Sequence, residues 1–379
     1  MNKKAFLVIV STMFVSMLGM GIVTPFLPIY ADQLGASTLE VGMVQASFSI
    51  SGLTTLLFVG RMSDRFGRKK FLLAGLTVMT LASVAFIWAQ NPLHLIIIRL
   101  FQGLGASAHL PIAQAYLGDI TPEGDEGKWM GYFNAVLFGG IGMGPLIGGV
   151  LADVFSITIT FLVMAIANFI GLVATLIFLP EVSRKVTPRE HSSPLSPLKS
   201  QVMRGVVAYR ITAGFGTSSL MAFLPLFADI KLGLSTSLIG ILLATRTPVS
   251  LVQSFTGRLA DRHSRRLMVV IGAGIAMIAM ALLPSAGHFW PLLFTYMFIA
   301  LGQAISMPAS NAYVVEVGRT YGMGASMTMF MMAMQIGNGV GPIALGGLAN
   351  IFGLASTFYS ASVLTLLGLL VFLWFIRKP

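Results

Sequence analysis

The sequence predicts an all-helical membrane protein with twelve transmembrane helices in two similar six-helix halves. Three observations predict it. Of 379 residues, 56% are hydrophobic and 10% charged, against roughly 25% charged in an ordinary soluble domain. A soluble fold of this size needs a polar exterior that this chain cannot supply. Apolar stretches of about 20 residues, the length that crosses a bilayer, begin near residues 5, 41, 71, 92, 129 and 157, and again near 206, 237, 267, 290, 323 and 355. The second set also repeats the first. Gly60-Arg-Met-Ser-Asp-Arg-Phe-Gly-Arg-Lys-Lys70 returns as Gly257-Arg-Leu-Ala-Asp-Arg-His-Ser-Arg-Arg-Leu267, 197 positions later (257 − 60). The same offset carries Phe26-Leu-Pro-Ile-Tyr-Ala-Asp32 to Phe223-Leu-Pro-Leu-Phe-Ala-Asp229. It also carries Pro111 and Tyr116 to Pro308 and Tyr313, and Gly144-Pro145 to Gly341-Pro342. One shift that aligns separate landmarks marks a tandem duplication in parallel order.

Each element follows in turn. Met1-Asn-Lys-Lys4 precedes an apolar run that continues to about Tyr30 without a small-residue cleavage site, so it reads as a retained first span rather than a signal peptide. Residues 1–180 form the first six-helix half. Residues 181–205, with Pro188, Pro194, Pro197 and several charges, read as a cytoplasmic linker with little structure of its own. Residues 206–379 form the second half. The remaining loops are short, so successive helices run antiparallel, and no span shows the alternation of a membrane strand.

The net charge is +11, and its distribution explains it. With the N-terminus inside, Lys and Arg gather in cytoplasmic segments: Lys3, Lys4, the 61–70 loop, Arg184 to Arg204, the 258–266 loop, Arg319, Arg377 and Lys378, with only Lys231 opposite. This positive-inside asymmetry places both termini in the cytoplasm of an inner cell membrane. The basic balance reports topology, not a nucleic-acid partner. The chain has no cysteine, which excludes disulfides and thiolate chemistry. Its five histidines are scattered, and no Gly-x-x-x-x-Gly-Lys-[Ser/Thr] loop is present. No cofactor, no metal site and no enzyme activity are therefore expected, and ATP-driven pumping is disfavoured. A duplicated membrane chain points instead to a transporter built from two halves.

Four motifs sharpen this expectation. Gly60-x-x-x-Asp64-Arg65-x-Gly67-Arg68 joins the second and third spans, where Gly67 can take the left-handed conformation of a sharp helix-to-helix turn. Read alone, the loop is equally a positive-inside turn that sets topology. In the fourth span Arg99, Gln102, Ala106, His109 and Ala113 share one helical face. A charge near mid-bilayer costs about 3 kcal/mol or more, so Arg99 faces a cavity or a partner; locking neighbouring helices is the plainer role. His109 titrates near physiological pH in its ordinary state, although a hydrogen-bonded packing histidine is favoured over a proton carrier. Gly140, Gly144, Gly148 and Gly149 surround Pro145 in the fifth span, and Gly21-x-x-x-Pro25-x-x-Pro28 occupies the first.

These stretches resemble the major facilitator superfamily, and among its members the twelve-helix drug:proton antiporters. The resemblance implies the major facilitator fold. It implies a conformational latch at Gly60, Asp64, Arg65, Gly67 and Arg68, with a second copy at Gly257, Asp261 and Arg262, weaker or merely structural because Ser264 replaces the second glycine. It also implies an antiporter motif at Gly140, Gly144, Pro145, Gly148 and Gly149, and proton coupling involving Arg99.

The halves can be compared position by position. Arg99 aligns with Tyr296, and Arg246 with Ser49, so two deep arginines break the repeat. A substrate site need not keep symmetry, which nominates Arg99 and Arg246 for a central cavity together with Gln102, Asn134, Gln253, Gln303, Gln335 and Asn338. The amides serve equally well as interhelical glue of about 1 kcal/mol each. None of the 13 Asp and Glu residues lies clearly at mid-bilayer, which suits a neutral or anionic solute and leaves proton coupling to Arg99, Asp32, Asp64 or His109. The expected activity is proton-coupled efflux of small organic compounds or drugs by a monomer in a lipid bilayer. The alternative is an importer or facilitator of an organic anion.

Overall fold

The structure, a computed structural model, describes residues 3–122, 125–181, 195–250, 252–253, 255–256 and 264–376. Helices dominate, and no strand occurs among these residues. They are α1 (Lys3–Val23), α2 (Leu27–Gln33), α3 (Thr38–Phe66), α4 (Arg68–Ala85), α5 (Pro92–Ile120), α6 (Glu126–Val154) and α7 (Ile157–Phe178). Then come α8 (Gln201–Leu232), α9 (Thr236–Ala244), α10 (Arg246–Ser250), α11 (Arg265–Leu282), α12 (Phe289–Tyr321), α13 (Met323–Phe352) and α14 (Ala355–Phe375). The end of the expected 181–205 linker is helical, with a 3-10 turn at Ser196–Lys199 and Ser200 capping α8. Nine stretches among the described residues are long and apolar enough to cross a membrane. Helices α3 and α13, of 29 and 30 residues, coincide with the second and eleventh expected spans.

Two expected spans are interrupted, each at a proline. Helix α1 stops at Val23 and α2 resumes at Leu27. Pro25 has no N–H to give the Gly21 carbonyl, which opens the helix there. Its counterpart 197 residues later is Ala222, and there α8 runs unbroken. The eighth expected span is divided at Thr245 into α9 and α10, because Pro248 cannot donate to the Ala244 carbonyl. The break leaves Arg246 as the first residue of α10.

Polar side chains fix where helices start. Ser37 and Glu40 form a reciprocal capping box at the start of α3: Ser37 N–H donates to Glu40 Oε2 at 2.8 Å, and Glu40 N–H to Ser37 Oγ at 3.3 Å. Asn91 caps α5 by accepting from His94 N–H at 3.0 Å, with Pro92 in the first turn. Ser156, Ser200 and Ser264 cap α7, α8 and α11 in the same way.

The helices pack into two compact units. One comprises Met1–Ala36, Ser47–Pro188 and Ser235–Ala244; the other comprises Ser37–Ala46, Arg189–Leu234 and Thr245–Pro379. In the first, α1 lies on α6 and α7, α4 lies on α5 and α7, and α9 lies along α6. In the second, α8 lies on α13 and α14, and α11 lies on α12 and α14. The 197-residue shift converts one arrangement into the other, apart from the short added segments.

Lipid chains are as apolar as leucine, so burying apolar surface gives little drive for helices to associate there; close backbone approach supplies the attraction. Glycines provide it in register. Gly75 of α4 meets Gly105 of α5, where a Cβ on either residue would fall 2.8–2.9 Å from the other's carbonyl oxygen. Their counterparts Gly272 of α11 and Gly302 of α12 make the same crossing, with 2.5 Å to each carbonyl oxygen.

The added segments repeat one another as well. In the second unit Thr38 Oγ1 donates to the Gly346 carbonyl at 3.1 Å, and Gly42 lies on the Pro342 carbonyl. In the first unit Thr236 Oγ1 donates to the Gly149 carbonyl at 3.1 Å, and Gly240 lies on the Pro145 carbonyl. Thr-x-x-x-Gly thus crosses Pro-x-x-x-Gly twice.

Gly105→Val and Gly302→Val are expected to cut the folded yield in fluorescence-detected size exclusion, because each drives a branched side chain into backbone at a cost of about 1–3 kcal/mol or more. Gly274→Val, on α11 with nothing within 4 Å of the added carbon, should retain the wild-type profile.

Candidate functional site

The turn after α3 is built as its glycine requires. Gly67 has φ 101°, a conformation L side chains rarely adopt, and it caps the start of α4. Glu181 completes the turn: its Oε1 accepts the Lys69 N–H at 3.3 Å, placing a carboxylate at the positive end of α4. Arg68 is buried and ion-paired with Asp119 at the end of α5. The second copy is constructed differently. Ser264 has φ −60° and caps α11 through Leu267 N–H, so the turn needs no left-handed residue. Arg265 pairs with Glu316 at 2.8 Å, the counterparts of Arg68 and Asp119 at the same offset of 197. Gly60, Asp64 and Arg65 lie in the last turns of α3, with the Asp64 and Arg65 side chains outside the described residues. Gly257, Asp261 and Arg262 lie outside the described residues altogether.

The predicted face of α5 is buried. Arg99 is 2% exposed; it donates from Nη1 to Gln102 Oε1 at 2.8 Å, and its guanidinium lies 4.7 Å from the centre of the Phe48 ring. Gln102 also donates to Met164 Sδ at 3.7 Å. His109 is fully buried, and neither ring nitrogen has a hydrogen-bond partner among the described residues. The hydrogen-bonded packing histidine expected at that position is therefore not what the structure holds. Asp32 sits half-buried in the last turn of α2, with its backbone carbonyl accepting from Gly35 N–H.

Arg246, the first residue of α10, donates from Nη2 to Gln303 Oε1 of α12 at 3.0 Å and interacts with the Tyr296 hydroxyl. Arg99 and Gln102, expected on one face of α5, are in direct contact, and Arg246 contacts Gln303, one of several amides nominated with it. The two arginine sites exchange roles across the repeat. In the first unit α5 contributes the cation and α3 the ring. In the second, α10 contributes the cation, and its aromatic partner is the hydroxyl of Tyr296, the counterpart of Arg99.

The other amides are dispersed. Asn134 is exposed on α6, Gln335 and Asn338 are half-buried on α13, and Gln253 is half-buried beyond α10. Gly140, Gly144 and Gly148 seat α6 against the backbone of α1 at Phe14, Gly21 and Ile22, while Gly149 and Pro145 receive α9. No cluster of three or more metal-ligating side chains occurs among the described residues.

Sequence reasoning missed Phe48 and Tyr296, whose ring partners are set by tertiary packing, and it missed Arg210. Arg210 is 7% exposed in α8, beneath the Phe330 ring at 4.3 Å and donating to Met334 Sδ at 2.9 Å. The signal was present in the repeat, because the counterpart of Arg210 is Met13.

The family model of the Major Facilitator Superfamily matches residues 9–247 and 211–379. The chain belongs to the Major Facilitator Superfamily. An uncharacterized MFS-type transporter of Methanocaldococcus jannaschii is 29% identical over 385 residues, covering 98% of both chains. Multidrug resistance protein 2 of Bacillus subtilis is 28% identical over 400 residues, covering 100% of this chain and 96% of the relative. The crystal structure of the nucleoside transporter NupG superposes with a TM-score of 0.84 at 15% identity, covering 100% of both chains. The superfamily's fold, twelve helices in two halves, is the fold of this chain. The protein is a multi-pass membrane transporter of a small-molecule substrate, with the family and fold of transporters rather than of enzymes.

The two ion pairs at equivalent positions of this superfamily member differ in burial, and stability should follow. The Arg68–Asp119 side chains are 7% and 8% exposed, and those of Arg265–Glu316 are 36% and 61% exposed. Asp119→Ala removes the acid from a buried ion pair and should cost about 3–5 kcal/mol. Glu316→Ala should cost about 0–1 kcal/mol. Thermal unfolding of the purified variants in detergent measures the difference.

Proposed function

We propose that the protein is a proton-coupled exporter of small organic compounds, working by alternating access between its two six-helix halves, residues 1–180 and 206–379. The observation that carries the reading is the end-to-end similarity to multidrug resistance protein 2, whose name records drug resistance. The buried Arg99–Gln102 pair supports it, since a guanidinium held in a buried helix interface depends on partners that a proton or solute can alter. Arg99, Asp32, Asp64 and His109 are the proton-coupling candidates. Arg246 with Gln303, and Gln102, Asn134, Gln253, Gln335 and Asn338, are the candidates for solute contact. Gly60, Asp64, Arg65, Gly67 and Arg68 act as a latch, with Gly257, Asp261 and Arg262 as its weaker copy. Gly140, Gly144, Pro145, Gly148 and Gly149 are the helix-packing motif of an antiporter. The protein works as a monomer in the cell membrane with both termini in the cytoplasm. Moving one charge across the membrane supplies about 2.3 kcal/mol per 100 mV, enough to concentrate a solute severalfold or more.

A second reading, an importer or facilitator of an organic anion, is favoured by one observation: Arg246 is held by an amide and a phenol rather than a carboxylate. Vesicle orientation separates the two. An exporter driven by an imposed proton gradient accumulates fluorescent solute in inverted vesicles and loses it on addition of a protonophore. Accumulation only in right-side-out vesicles refutes export. In the same assay Arg246→Ala should reduce uptake at least tenfold while membrane insertion is unchanged, and unaltered uptake removes Arg246 from the solute site.

A further inference from the structure

Arg210 lies nine residues into α8, about 13 Å along the helix from its start. It is deeply buried, yet its partners are soft. Nη2 donates to the Met334 thioether, a weak acceptor, and the Phe330 ring faces the guanidinium. Nε has no hydrogen-bond partner, and no carboxylate pairs with Arg210 among the described residues. This contrasts with Arg68 and Arg265, each opposite an acid. A cation this far from water with so little compensation is costly.

The first unit shows that packing does not require it. Met13, Phe133 and Leu137 are the counterparts of Arg210, Phe330 and Met334 at the 197 offset. All three are buried in one apolar core cluster. The same place in the second unit keeps the ring and an apolar partner and exchanges only the methionine for arginine. The fold accepts a methionine there, so the guanidinium serves another purpose.

The stripe on α13 that faces it continues to a second unsatisfied group. Phe330, Met334 and Asn338 stand at i, i+4 and i+8 on one helical face, and Asn338 Oδ1 is buried without a partner. The segment Met323–Met334 carries six methionines, side chains that adapt to irregular apolar shapes. Arg210 is 7% exposed as a residue and its Nε is buried, so an anion reaches that edge by displacing a neighbour, which the flexible methionines of this segment permit.

We infer that Arg210, with Phe330, Met334 and Asn338, is a recognition point for organic anions, specifically a carboxylate carried on a flat apolar body. The free Nε–H edge matches a carboxylate oxygen, the Asn338 amide supplies a further polar contact, and the ring and thioether receive the apolar body. This deepens the preceding section and rests on its reading that the chain carries small organic compounds.

The test is equilibrium binding to purified protein in nanodiscs, using pyrenebutyrate and its uncharged amide. Wild-type protein should prefer the carboxylate by about tenfold or more, the scale of one charge-assisted hydrogen bond. Arg210→Met, which restores the residue of the first half, should retain amide binding and lose the preference. Arg210→Lys keeps the charge and should retain a preference of the same sign, which holds the test open if the methionine variant does not fold. A wild type without preference, or an Arg210→Met variant that keeps it, overturns the inference. The exporter reading fails separately: a wild type that discriminates between the probes yet pumps neither in inverted vesicles refutes export and leaves this recognition point standing.

Discussion

Everything in this structure depends on how closely two helix backbones can approach where there is no water to expel. In hydrocarbon, apolar burial does not distinguish a helix neighbour from a lipid chain, so cohesion comes from dispersion and short polar contacts at small residues. Gly75 against Gly105 and Gly272 against Gly302 place backbones where any side chain would collide. The same constraint governs the glycine stripe of α6, which admits α1 on one side and α9 on the other.

The second organising factor is the treatment of charge. Positive side chains at the helix ends meet acids: Arg68 meets Asp119, and Arg265 meets Glu316. Deeper in the helices, Arg99, Arg210 and Arg246 meet rings, amides and a thioether. Acid pairing fixes a structural corner most firmly at Arg68–Asp119, where both side chains are buried, and more loosely at the exposed Arg265–Glu316 pair. Rings, amides and thioethers compensate a buried guanidinium less fully than a carboxylate does. This division between corner and interior follows depth along the helix rather than position in the sequence.

Much of the fold was legible because lipid imposes strong rules on sequence. Span lengths follow bilayer thickness, Gly67 announces its own turn, and one offset carries the landmarks of the first half onto the second. The breaks at Pro25 and before Arg246 were harder to see, since a proline within a span sometimes opens the helix, as Pro25 does, and sometimes does not, as Pro225 in α8 shows. The site was partly legible. Arg99 with Gln102 shares a helix, so spacing alone pairs them. Arg246 was singled out through the broken repeat, but its contact with Gln303 was not, since nothing local links the two. Phe48 and Tyr296 were not, because ring contacts across helices leave no local pattern. Arg210 was overlooked although Met13 stood opposite it in the alignment, since a basic residue close behind the 181–205 stretch reads as part of the positive-inside flank.

The doubled crossing of Thr-x-x-x-Gly over Pro-x-x-x-Gly has a consequence for symmetry. Thr38 and Gly42 belong to the first half of the chain, and so do Pro145 and Gly149; Thr236, Gly240, Pro342 and Gly346 belong to the second. Either half therefore bears both ridge and groove, which is the requirement for an isologous pair. A six-helix half with these residues presents both sides of the crossing, the self-complementarity that a pair of identical copies needs.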